Sequence, residues 1–425
     1  MNFLDELEWR GMLHDITPGV KELMNEKKIV GYIGFDPTAP SMTIGNFLQI
    51  QVLKLWQLSG HTPIVLFGGA TGRIGDPSGK DKERELKSFE ELDGNLAFQK
   101  AQVAKFLDFE MGDNKAINVN NFDFYKEMNV LDFLRDVGKT ITVSYMMSKD
   151  SVQNRLETGL SFTEFSYQLL QGYDFQCLYQ KMNCLVQLGG SDQWGNITAG
   201  TEFIRRNLGG KAYAITSKLL TKSDGKKFGK SDEGNIWLDR NMTSPYKFYQ
   251  FFLNIDDADL KKLFRYFSLK SREEIEAIEK EFENDPRQLK KIIAEELTVR
   301  VHSSEDLQNI QKVTDLLFGK LDASVLSSFS PEMWTTIGAE IPNGKINAHD
   351  VENGIPLVEL LHDKINLLPS RSEVRRAVQN NAISINKEKI TDLNFVVDKK
   401  LFFQNQFMLI ENGKKNKFLL ELNPN

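Results

Sequence analysis

Between residues 29 and 220, short apolar runs alternate with longer amphipathic segments. The apolar runs at 29–35, 63–68, 116–119 and 184–188 predict buried strands of a parallel sheet, and the segments between them have the 3.6-residue period of helices. This alternation is typical of an α/β domain in which helices cover both faces of the sheet. Each run leads into a loop rich in Gly, Asp, Asn or Ser. Because such loops bind the ligand in open α/β sheets, we expect the functional site there.

The pattern changes after the Ser-Pro pair at 244–245. Residues 261–297 form a charged stretch with a period of 3.6, which predicts a small bundle of helices. From 327 to 350 the periodicity is lost and Ser, Pro, Gly and Asn accumulate, which predicts a linker. The sequence therefore predicts an α/β domain at 1–241, a helical domain at 242–326, a linker at 327–350 and a third unit at 351–425.

The amino-acid composition excludes several classes of protein. The chain has 425 residues, with 53 Lys and Arg against 59 Asp and Glu, a formal charge of -6 that argues against non-specific coating of DNA. Two cysteines cannot form a disulfide framework or a four-ligand zinc site, and the five scattered histidines show no HExxH-like spacing. No stretch has the pattern of a signal peptide or of a membrane span. We therefore expect a cytoplasmic protein with no membrane association.

Five loop or helix segments could carry chemistry, although each has an ordinary structural explanation by itself. PTAPSMTIGN at 37–46 is a strand-to-helix turn whose helix start suits a phosphate group. GGATGRIGDPSGK at 68–80 is similar to a phosphate loop, but Ile74 and Asp81 stand where GxxxxGK[ST] requires Gly and Ser or Thr. The chain has no GxGxxG motif, so P-loop ATPases and NAD dehydrogenases are both disfavoured.

The other three segments are a helix and two loops. On the predicted helix at 161–175, Thr163, Tyr167, Gln171 and Asp174 share one stripe, which faces either water or a polar pocket. The apolar residues around this stripe favour the pocket. LGGSDQWGN at 188–196 places Asp192 as a helix cap or a ligand, and KSDGKKFGKS at 222–231 is an exposed turn or a source of cations.

Together, and in this order, the segments resemble the class I aminoacyl-tRNA synthetases, and among them the bacterial tyrosyl-tRNA synthetases. PTAPSMTIGN stands where that family has its HIGH signature, and KFGKS at 227–231 stands where it has KMSKS. GGATGRIGDPSGK, TGLSFTEFSYQLLQGYDF and LGGSDQWGNITAG are similar to further blocks of the family. The likeness spans almost the whole chain. It implies a Rossmann-like parallel-sheet catalytic domain, an α-helical anticodon-recognition domain and a small α+β RNA-binding domain of the type first named for ribosomal protein S-four.

The resemblance implies that ATP and tyrosine react to tyrosyl-adenylate and pyrophosphate, and that the tyrosyl group then passes to the 3′ end of its tRNA. ATP is expected as a substrate with Mg²⁺ on its phosphates, without a protein-bound metal or organic cofactor, and a homodimer is expected. The catalytic positions implied are Lys80, Arg84, Lys227, Lys230, Thr38 and Thr43. Those for ATP are Gly34, Gly45, Asn46, Gly190, Asp192 and Lys230, and those for tyrosine are Tyr32, Asp76, Tyr167, Gln171, Asp174 and Gln193.

In the third unit, a predicted helix carries Arg371, Arg375 and Arg376, and a basic turn carries Lys387 and Lys389. These five residues are the expected RNA contacts, with a solvated helix face as the alternative.

Two positions depart from the family pattern, because Thr43 and Asn46 replace the two HIGH histidines. Two alternatives therefore remain: an enzyme specific for tryptophan, which Asp174 and Tyr32 disfavour because they suit a phenol, and a non-catalytic RNA-binding protein.

Overall fold

The computed structural model describes residues 2–78, 86–156, 159–226, 228–231, 234–319, 321, 323–413 and 416–423. Lys80, Arg84 and Lys227 lie outside the described residues, and of Lys230 only the backbone is described. Contacts within the chain divide it into two compact units, Met1–His302 and Ser303–Asn425. The predicted boundaries at 241, 326 and 350 stay predictions.

The first unit contains a six-stranded sheet in the order β1-β6-β5-β2-β3-β4. All neighbours are parallel except β1, which pairs antiparallel with β6. The strands are β1 (Leu13–Ile16), β2 (Val30–Phe35), β3 (Thr62–Phe67), β4 (Ile117–Asn120), β5 (Cys184–Gly190) and β6 (Tyr213–Ser217). The predicted parallel α/β sheet is confirmed, and its four predicted strands are β2 to β5.

The sequence pattern did not indicate β1 or β6. The sequence of β1, LHDI, is short, polar and partly exposed at the sheet edge, so it lacks an apolar run. Strand β6, YAITS, is buried along its whole length, but its Thr and Ser hide it from a search for apolar residues. The neighbours β2 and β5 are far apart in sequence, and the strand order reverses between them. Open sheets of this kind bind ligands in the crevice at such a reversal.

Helices cover the sheet and continue beyond it. Those of the first unit are α1 (Phe3–Arg10), α2 (Val20–Glu26), α3 (Ile44–Leu58), α4 (Phe89–Val103), α5 (Val130–Asp132), α6 (Val143–Met147), α7 (Asp150–Leu156), α8 (Phe162–Met182), α9 (Trp194–Leu208), α10 (Pro245–Leu253), α11 (Asp257–Phe267), α12 (Arg272–Glu281) and α13 (Pro286–Val301). The helical region expected after the catalytic domain is confirmed by α10 to α13. No helix of the described residues is both long and apolar enough to span a bilayer.

Helix α8 is the longest element of the first unit and packs its buried side chains between the sheet and α9. Phe175 and Leu178 on α8 are fully buried against the sheet residues Ile64 and Cys184. On the same helix, Leu169 joins a second cluster with Phe203 of α9 and with Val137. This packing leaves the stripe of Tyr167, Gln171 and Asp174 at the end of the sheet where β2 and β5 terminate.

The second unit has its own core and sheet. Its strands β9 (Asn343–Asn347), β11 (Ile383–Ile385), β12 (Glu388–Lys389), β14 (Phe407–Asn412) and β15 (Asn416–Asn423) form a sheet in the order β12-β11-β14-β15-β9. Two further short strands of this unit, β10 (Ile355–Pro356) and β13 (Val396–Val397), pair with each other. The short strands β7 (Lys230–Ser231) and β8 (Gly234–Asn235) form a pair in the first unit. The helices are α14 (Ser304–Phe318), α15 (Ala323–Leu326), α16 (Pro331–Glu340), α17 (Ala348–Glu352) and α18 (Arg371–Gln379). The expected C-terminal α+β fold is confirmed.

The segment 327–350, expected to be a linker, contains α16 and β9. Trp334 of α16 is completely buried and stacks on Phe403 and Phe407. Strand β9 pairs with β15 in parallel. Ser and Pro mark the start of α16 rather than a linker, since Ser330 caps the helix and Pro331 occupies its first turn.

Candidate active site

A cavity of about 310 Å³ lies at the carboxyl ends of β2 and β5, where the strand order reverses. The predicted site residues that line it are Tyr32, Gly34, Thr38, Gly45, Asn46, Asp76, Tyr167, Gln171, Asp174, Gly190, Asp192 and Gln193. The structure therefore brings these predicted residues together around one cavity, whereas the function of the site and the individual roles of these residues stay predictions. Of the polar stripe on α8, Tyr167, Gln171 and Asp174 line this cavity, whereas Thr163 does not.

The buried end of the cavity is formed by Tyr32 and Asp174, whose exposed fractions are 0% and 1%. Asn121 donates to Oδ2 of Asp174 at 2.8 Å, and the hydroxyl of Tyr125 lies 2.7 Å from Oδ1. Burial raises the pKa of Asp174 to about 7, although these two hydrogen bonds oppose the shift. Burial also raises the pKa of Tyr32 well above its ordinary value, so its hydroxyl stays protonated.

Asp36 holds a second part of the wall. Its Oδ2 accepts a hydrogen bond from Tyr167 at 2.8 Å, and its Oδ1 accepts one from Thr71 at 2.6 Å. Asn121 donates to the Thr71 hydroxyl at 3.0 Å. Asp36 and Asp174 are thus connected through Thr71 and Asn121. A Cβ on Gly68 would lie 2.0 Å from Asp36 Oδ1, so this arrangement requires a glycine at 68.

Asp76 holds a third part of the cavity wall and is 8% exposed. Gln193 donates to Oδ2 of Asp76 at 2.8 Å, and the backbone N–H of Ser78 donates to Oδ1 at 2.9 Å. Asn196 completes the network, because its amide donates to the Ser78 hydroxyl at 3.1 Å. These bonds hold the Asp76 carboxylate at the cavity surface.

Several buried polar atoms of the cavity wall have no hydrogen-bond partner among the described residues: Tyr32 Oη, Gln49 Oε1, Gln171 Oε1 and Gln187 Oε1. Leaving a buried polar atom unpaired costs about 1–3 kcal/mol, so such atoms are rare in folded proteins. Their concentration in one cavity indicates a polar ligand that would pair them.

The lining also has a distinct charge. Asp36, Asp76, Asp174 and Asp192 contribute four carboxylates, and no Lys or Arg is among the described residues that line the cavity. This composition suits a ligand that carries an ammonium group and hydroxyl groups. A polyphosphate would require cations from elsewhere.

At the mouth of the cavity, Gly34, Gly45, Asn46 and Asp192 are exposed. Thr43 does not line the cavity; instead it caps α3. Its backbone N–H and its hydroxyl both donate to Asn46 Oδ1 at 2.9 Å, which forms a capping box. The two residues that replace the HIGH histidines therefore stabilise the helix start.

The segment after the second signature is joined to this helix start. Ile44 donates its backbone N–H to the carbonyl of Ile236 at 3.0 Å, and Ile236 donates to the carbonyl of Gly229 at 2.9 Å. Gly229 has a φ of +86° and lies against Ile44. The two signature segments therefore meet at the mouth, although Lys227 and the side chain of Lys230 lie outside the described residues.

In the second unit, the five expected RNA contacts differ in their surroundings. Arg371 pairs with Asp363, Lys387 with Glu411 at 2.9 Å, and Lys389 donates to the carbonyl of Asn381. Arg375 and Arg376 are exposed on α18, and within the described residues no ion pair engages either of them. These two arginines are thus the ones most accessible to phosphate groups.

Sequence reasoning missed Asp36, Thr71, Asn121, Tyr125 and Gln187. A signal was present for three of them: Asp36 directly follows β2, Asn121 directly follows β4, and Thr71 lies in the loop after β3. Polar residues just after parallel strands meet at one edge of the sheet. For Tyr125, which follows a 3-10 turn, no such signal existed.

The chain was compared with known families and proteins. The family described as tRNA synthetases class I (W and Y) matches residues 24–319, and the C-terminal domain of tyrosine–tRNA ligases matches residues 336–420. The tyrosine–tRNA ligase of Cytophaga hutchinsonii is 50% identical, over 99% of this chain and 100% of that protein. That of Parabacteroides distasonis is 48% identical, over 99% of each chain. Among solved structures, the C-terminally truncated mitochondrial tyrosyl-tRNA synthetase of Aspergillus nidulans aligns with a TM-score of 0.67 and 31% identity, over 75% of this chain and 94% of that one.

Proposed function

The chain belongs to the tyrosine–tRNA ligases, a family of class I tRNA synthetases, and from this premise we propose how its cavity activates tyrosine with ATP and charges the tRNA. The observation that carries the proposal is the buried pair of Tyr32 and Asp174, in a cavity whose other end is open beside the start of α3. A buried hydroxyl and a buried carboxylate are suited to the phenol of tyrosine.

In the proposed complex, the substrate phenol donates to Asp174 and pairs with the Tyr32 hydroxyl. This arrangement would satisfy the Tyr32 atom that lacks a partner. Phenylalanine would leave the Tyr32 hydroxyl unpaired and would give Asp174 no donor in place of the phenol, and is therefore rejected by binding alone. Tyrosyl-tRNA synthetase is itself the standard example of this form of discrimination.

In this proposal, the amino end of tyrosine binds to a different part of the cavity wall. Asp76, Tyr167 and Gln171 surround the ammonium group, and Gln193 lies near the carboxylate. The Asp76 carboxylate supplies the opposite charge, and the unpaired Gln171 Oε1 supplies an acceptor. Each of these side chains lines the cavity.

The tyrosine carboxylate is ionised at neutral pH, so activation needs no general base. One carboxylate oxygen attacks the α-phosphorus of ATP, an O–P bond forms, and the bond to the pyrophosphate oxygen breaks. Alignment and compensation of the charge on the leaving pyrophosphate are therefore the tasks of the protein. In the second step, a terminal ribose hydroxyl of the tRNA attacks the tyrosyl carbonyl and AMP leaves.

We assign the charge compensation to Lys80, Arg84, Lys227 and Lys230, with Thr38 beside the phosphates. Gly34, Gly45, Asn46, Gly190 and Asp192 would hold the adenosine and its ribose. The anionic cavity lining supports this division, because the phosphates require cations that the lining does not contain. Mg²⁺ would enter on the ATP phosphates and supply further charge compensation there. Among the described residues, no cluster of His, Cys, Asp or Glu is placed to bind a metal ion.

The test is amino-acid-dependent ATP–pyrophosphate exchange with tyrosine, tryptophan and phenylalanine. The proposal predicts exchange with tyrosine alone. A Tyr32→Phe variant should lose roughly tenfold or more in preference for tyrosine over phenylalanine, because one hydrogen bond to the phenol is removed. Exchange with tryptophan would replace the assigned substrate. Absence of exchange from folded protein that binds tRNA would favour a non-catalytic RNA-binding protein.

We further propose a cytoplasmic homodimer. Its interface would be an apolar surface on the segment 130–162. The exposed apolar side chains of this segment, each at least 50% exposed, are Val130, Leu131, Leu134, Val143 and Phe162. A group of exposed apolar residues on one segment is typical of a subunit interface. A Leu131→Glu variant should sediment as a monomer. The matched control is Met111→Glu, which places the same charge at a residue that is also 73% exposed.

A further inference from the structure

Tyr125 is a half-buried residue whose hydroxyl reaches the Asp174 carboxylate, although it does not line the cavity. We propose that Tyr125 is a positioning residue for tyrosine recognition, which fixes the Asp174 carboxylate so that it accepts the substrate phenol. The inference rests on the proposed function, in which Asp174 contacts that phenol.

The surroundings of the Tyr125 hydroxyl determine which acceptor receives its proton. The hydroxyl lies 2.7 Å from Oδ1 of Asp174 and 2.8 Å from the carbonyl of Leu170, but it has one proton to donate. Leu170 lies inside α8, where its carbonyl also accepts the helical hydrogen bond of residue 174. The charged carboxylate is the stronger acceptor, so the proton goes to Asp174 whenever that carboxyl is ionised.

The Tyr125 ring is itself held in place. It packs on Tyr173 with ring centroids 5.7 Å apart and on Phe133 with centroids 6.4 Å apart. A ring fixed on two sides can direct its hydroxyl with small loss of conformational entropy on ligand binding. Asn121 donates to the other oxygen, Oδ2, and is anchored by the backbone N–H of Ala70 at 2.7 Å. Each carboxylate oxygen therefore has one rigid donor, and its remaining lone pairs are available to the substrate.

Hydrogen-bond donors help to determine whether the Asp174 carboxyl group is ionised. The titratable groups that face it are Asp36 and Tyr32 near the end of β2, Tyr125 after β4, and Tyr167, Tyr173 and Cys177 on α8. None of these groups is a cation. Hydrogen bonds from Asn121 and Tyr125 are therefore the interactions that lower the pKa of Asp174 against the effect of burial.

The experiment compares Tyr125→Phe with the wild-type protein, and with Tyr173→Phe as the matched control. Both variants remove one hydroxyl from neighbouring rings, but the Tyr173 hydroxyl pairs with Cys177 instead of Asp174. Tyrosine and phenylalanine binding are measured by calorimetry, and KM and kcat for tyrosine by ATP–pyrophosphate exchange, at pH values from 6 to 9. Thermal unfolding checks that both variants are folded.

Tyr125→Phe should weaken tyrosine binding and raise its KM about tenfold, with phenylalanine binding and kcat changed less than about twofold. The acidic limb of its KM profile should move to higher pH, because the carboxylate has lost a donor. Tyr173→Phe should leave the KM for tyrosine and its pH profile unchanged. The proposal is overturned if Tyr125→Phe binds tyrosine as the wild type does, or if it weakens both amino acids equally.

Calorimetry separates this inference from the proposed function. Wild-type protein that binds tyrosine but shows no exchange would refute the proposed ligase chemistry, while the binding data would still decide the role of Tyr125. Wild-type protein that binds phenylalanine as tightly as tyrosine would refute both the proposed function and the proposed role of Tyr125.

Discussion

Gly229 approaches Ile44 so closely that a Cβ on Gly229 would lie 2.1 Å from Ile44 Cγ2. The second signature segment is thus fitted against the first residue of α3. A Gly229→Ala variant would have to move this segment away from the cavity mouth and would also strain a φ of +86°. We expect a roughly 10- to 100-fold fall in the rate of ATP–pyrophosphate exchange, since displaced reacting groups slow a reaction steeply.

Gly225→Ala provides the matched control for this contact. Gly225 has a similar φ of +83°, but its Cβ would meet nothing within 4 Å. Its variant therefore shows the effect of backbone strain alone, about 1–2 kcal/mol. Equal rates for the two variants would mean that the contact with Ile44 is unimportant.

Thr71 connects two of the cavity carboxylates. A Thr71→Val variant keeps the shape but removes the hydroxyl that donates to Asp36 and accepts from Asn121. The expected result is a 10- to 100-fold rise in KM for tyrosine, because the buried Asn121 amide and the partly buried Asp36 carboxylate each lose a partner, at a cost of about 1–3 kcal/mol for a buried group. Steady-state exchange kinetics would measure it, and an unchanged KM would show that water replaces the hydroxyl.

Asp174 gives the free energy of unfolding a predictable dependence on pH. Its pKa is about 7 in the folded protein, against 3.8 ordinarily, so between these values the folded chain holds a proton that the unfolded chain has lost. The contribution of Asp174 to stability is therefore full below about pH 4, decreases as the pH rises towards 7, and is constant above that. Relative to wild type, an Asp174→Asn variant should become more stable from pH 5 to pH 7.

Urea unfolding at pH 5, 6, 7 and 8 would measure this difference, and Glu202→Gln serves as the control. Hydrogen bonds from Arg205 and Arg206 lower the pKa of Glu202 to about 2. Its stabilising effect is present above the unfolded value of 4.5 and is lost only as the pH falls towards 2. The Glu202→Gln difference should thus be constant over the range in which the Asp174→Asn difference changes. A constant difference for both variants would contradict the prediction.

Arg155 and Glu164 form an ion pair with side-chain exposures of 3% and 1%, at 2.8 Å. Replacing Arg155 with Met leaves a buried carboxylate without this cation and should destabilise the first unit by about 3–5 kcal/mol. Replacing both residues, as Arg155→Met with Glu164→Gln, should recover a large part of that loss. Chemical denaturation of the single and double variants measures the coupling free energy between Arg155 and Glu164. If the losses of unfolding free energy in the single variants simply add in the double variant, the two residues are not coupled.

Arg375 and Arg376 provide the test of the RNA surface. Each cation that contacts a phosphate contributes about one unit to the dependence of log K on log salt concentration. The double variant Arg375→Ala with Arg376→Ala should reduce that slope for tRNA by about 1–2 units. Arg371→Ala should change it less, because Arg371 already pairs with Asp363. The assay is tRNA binding at several salt concentrations, and equal slopes for the double variant and wild type would exclude these contacts.

The sequence predicted the sheet well where burial leaves a clear pattern. Strands β2 to β5 are apolar runs, and the stripe of Tyr167, Gln171 and Asp174 follows from helical spacing. Strand β1 was not predicted because it is a polar strand at the sheet edge, and β6 was not predicted because its Thr and Ser interrupt the apolar pattern although the strand is buried. The same holds for α16, since the burial of Trp334 against β14 arises from tertiary contacts.

Within the site, sequence motifs indicated many of the residues that line the cavity, but they indicated neither Asp36, Thr71, Asn121 and Gln187 in its lining nor Tyr125 outside it. Asp174 belongs to a recognisable segment, whereas Tyr125 meets it only because β4 and α8 are brought together by the fold. Thr43 shows the reverse case: its place in the signature implied a catalytic position, but its hydroxyl caps α3 and it does not line the cavity. Hydrogen-bond partners in three dimensions decide such roles.

The order of the sheet also has a consequence for synthesis on the ribosome. Leu13 of β1 pairs with Ser217 of β6, about 200 residues later in the chain. At about 5–20 residues per second, roughly 10–40 s pass between the synthesis of the two strands. The nascent chain must therefore carry its first strand unpaired while the rest of the sheet is made, and the cavity between β2 and β5 cannot exist before residue 190 has emerged.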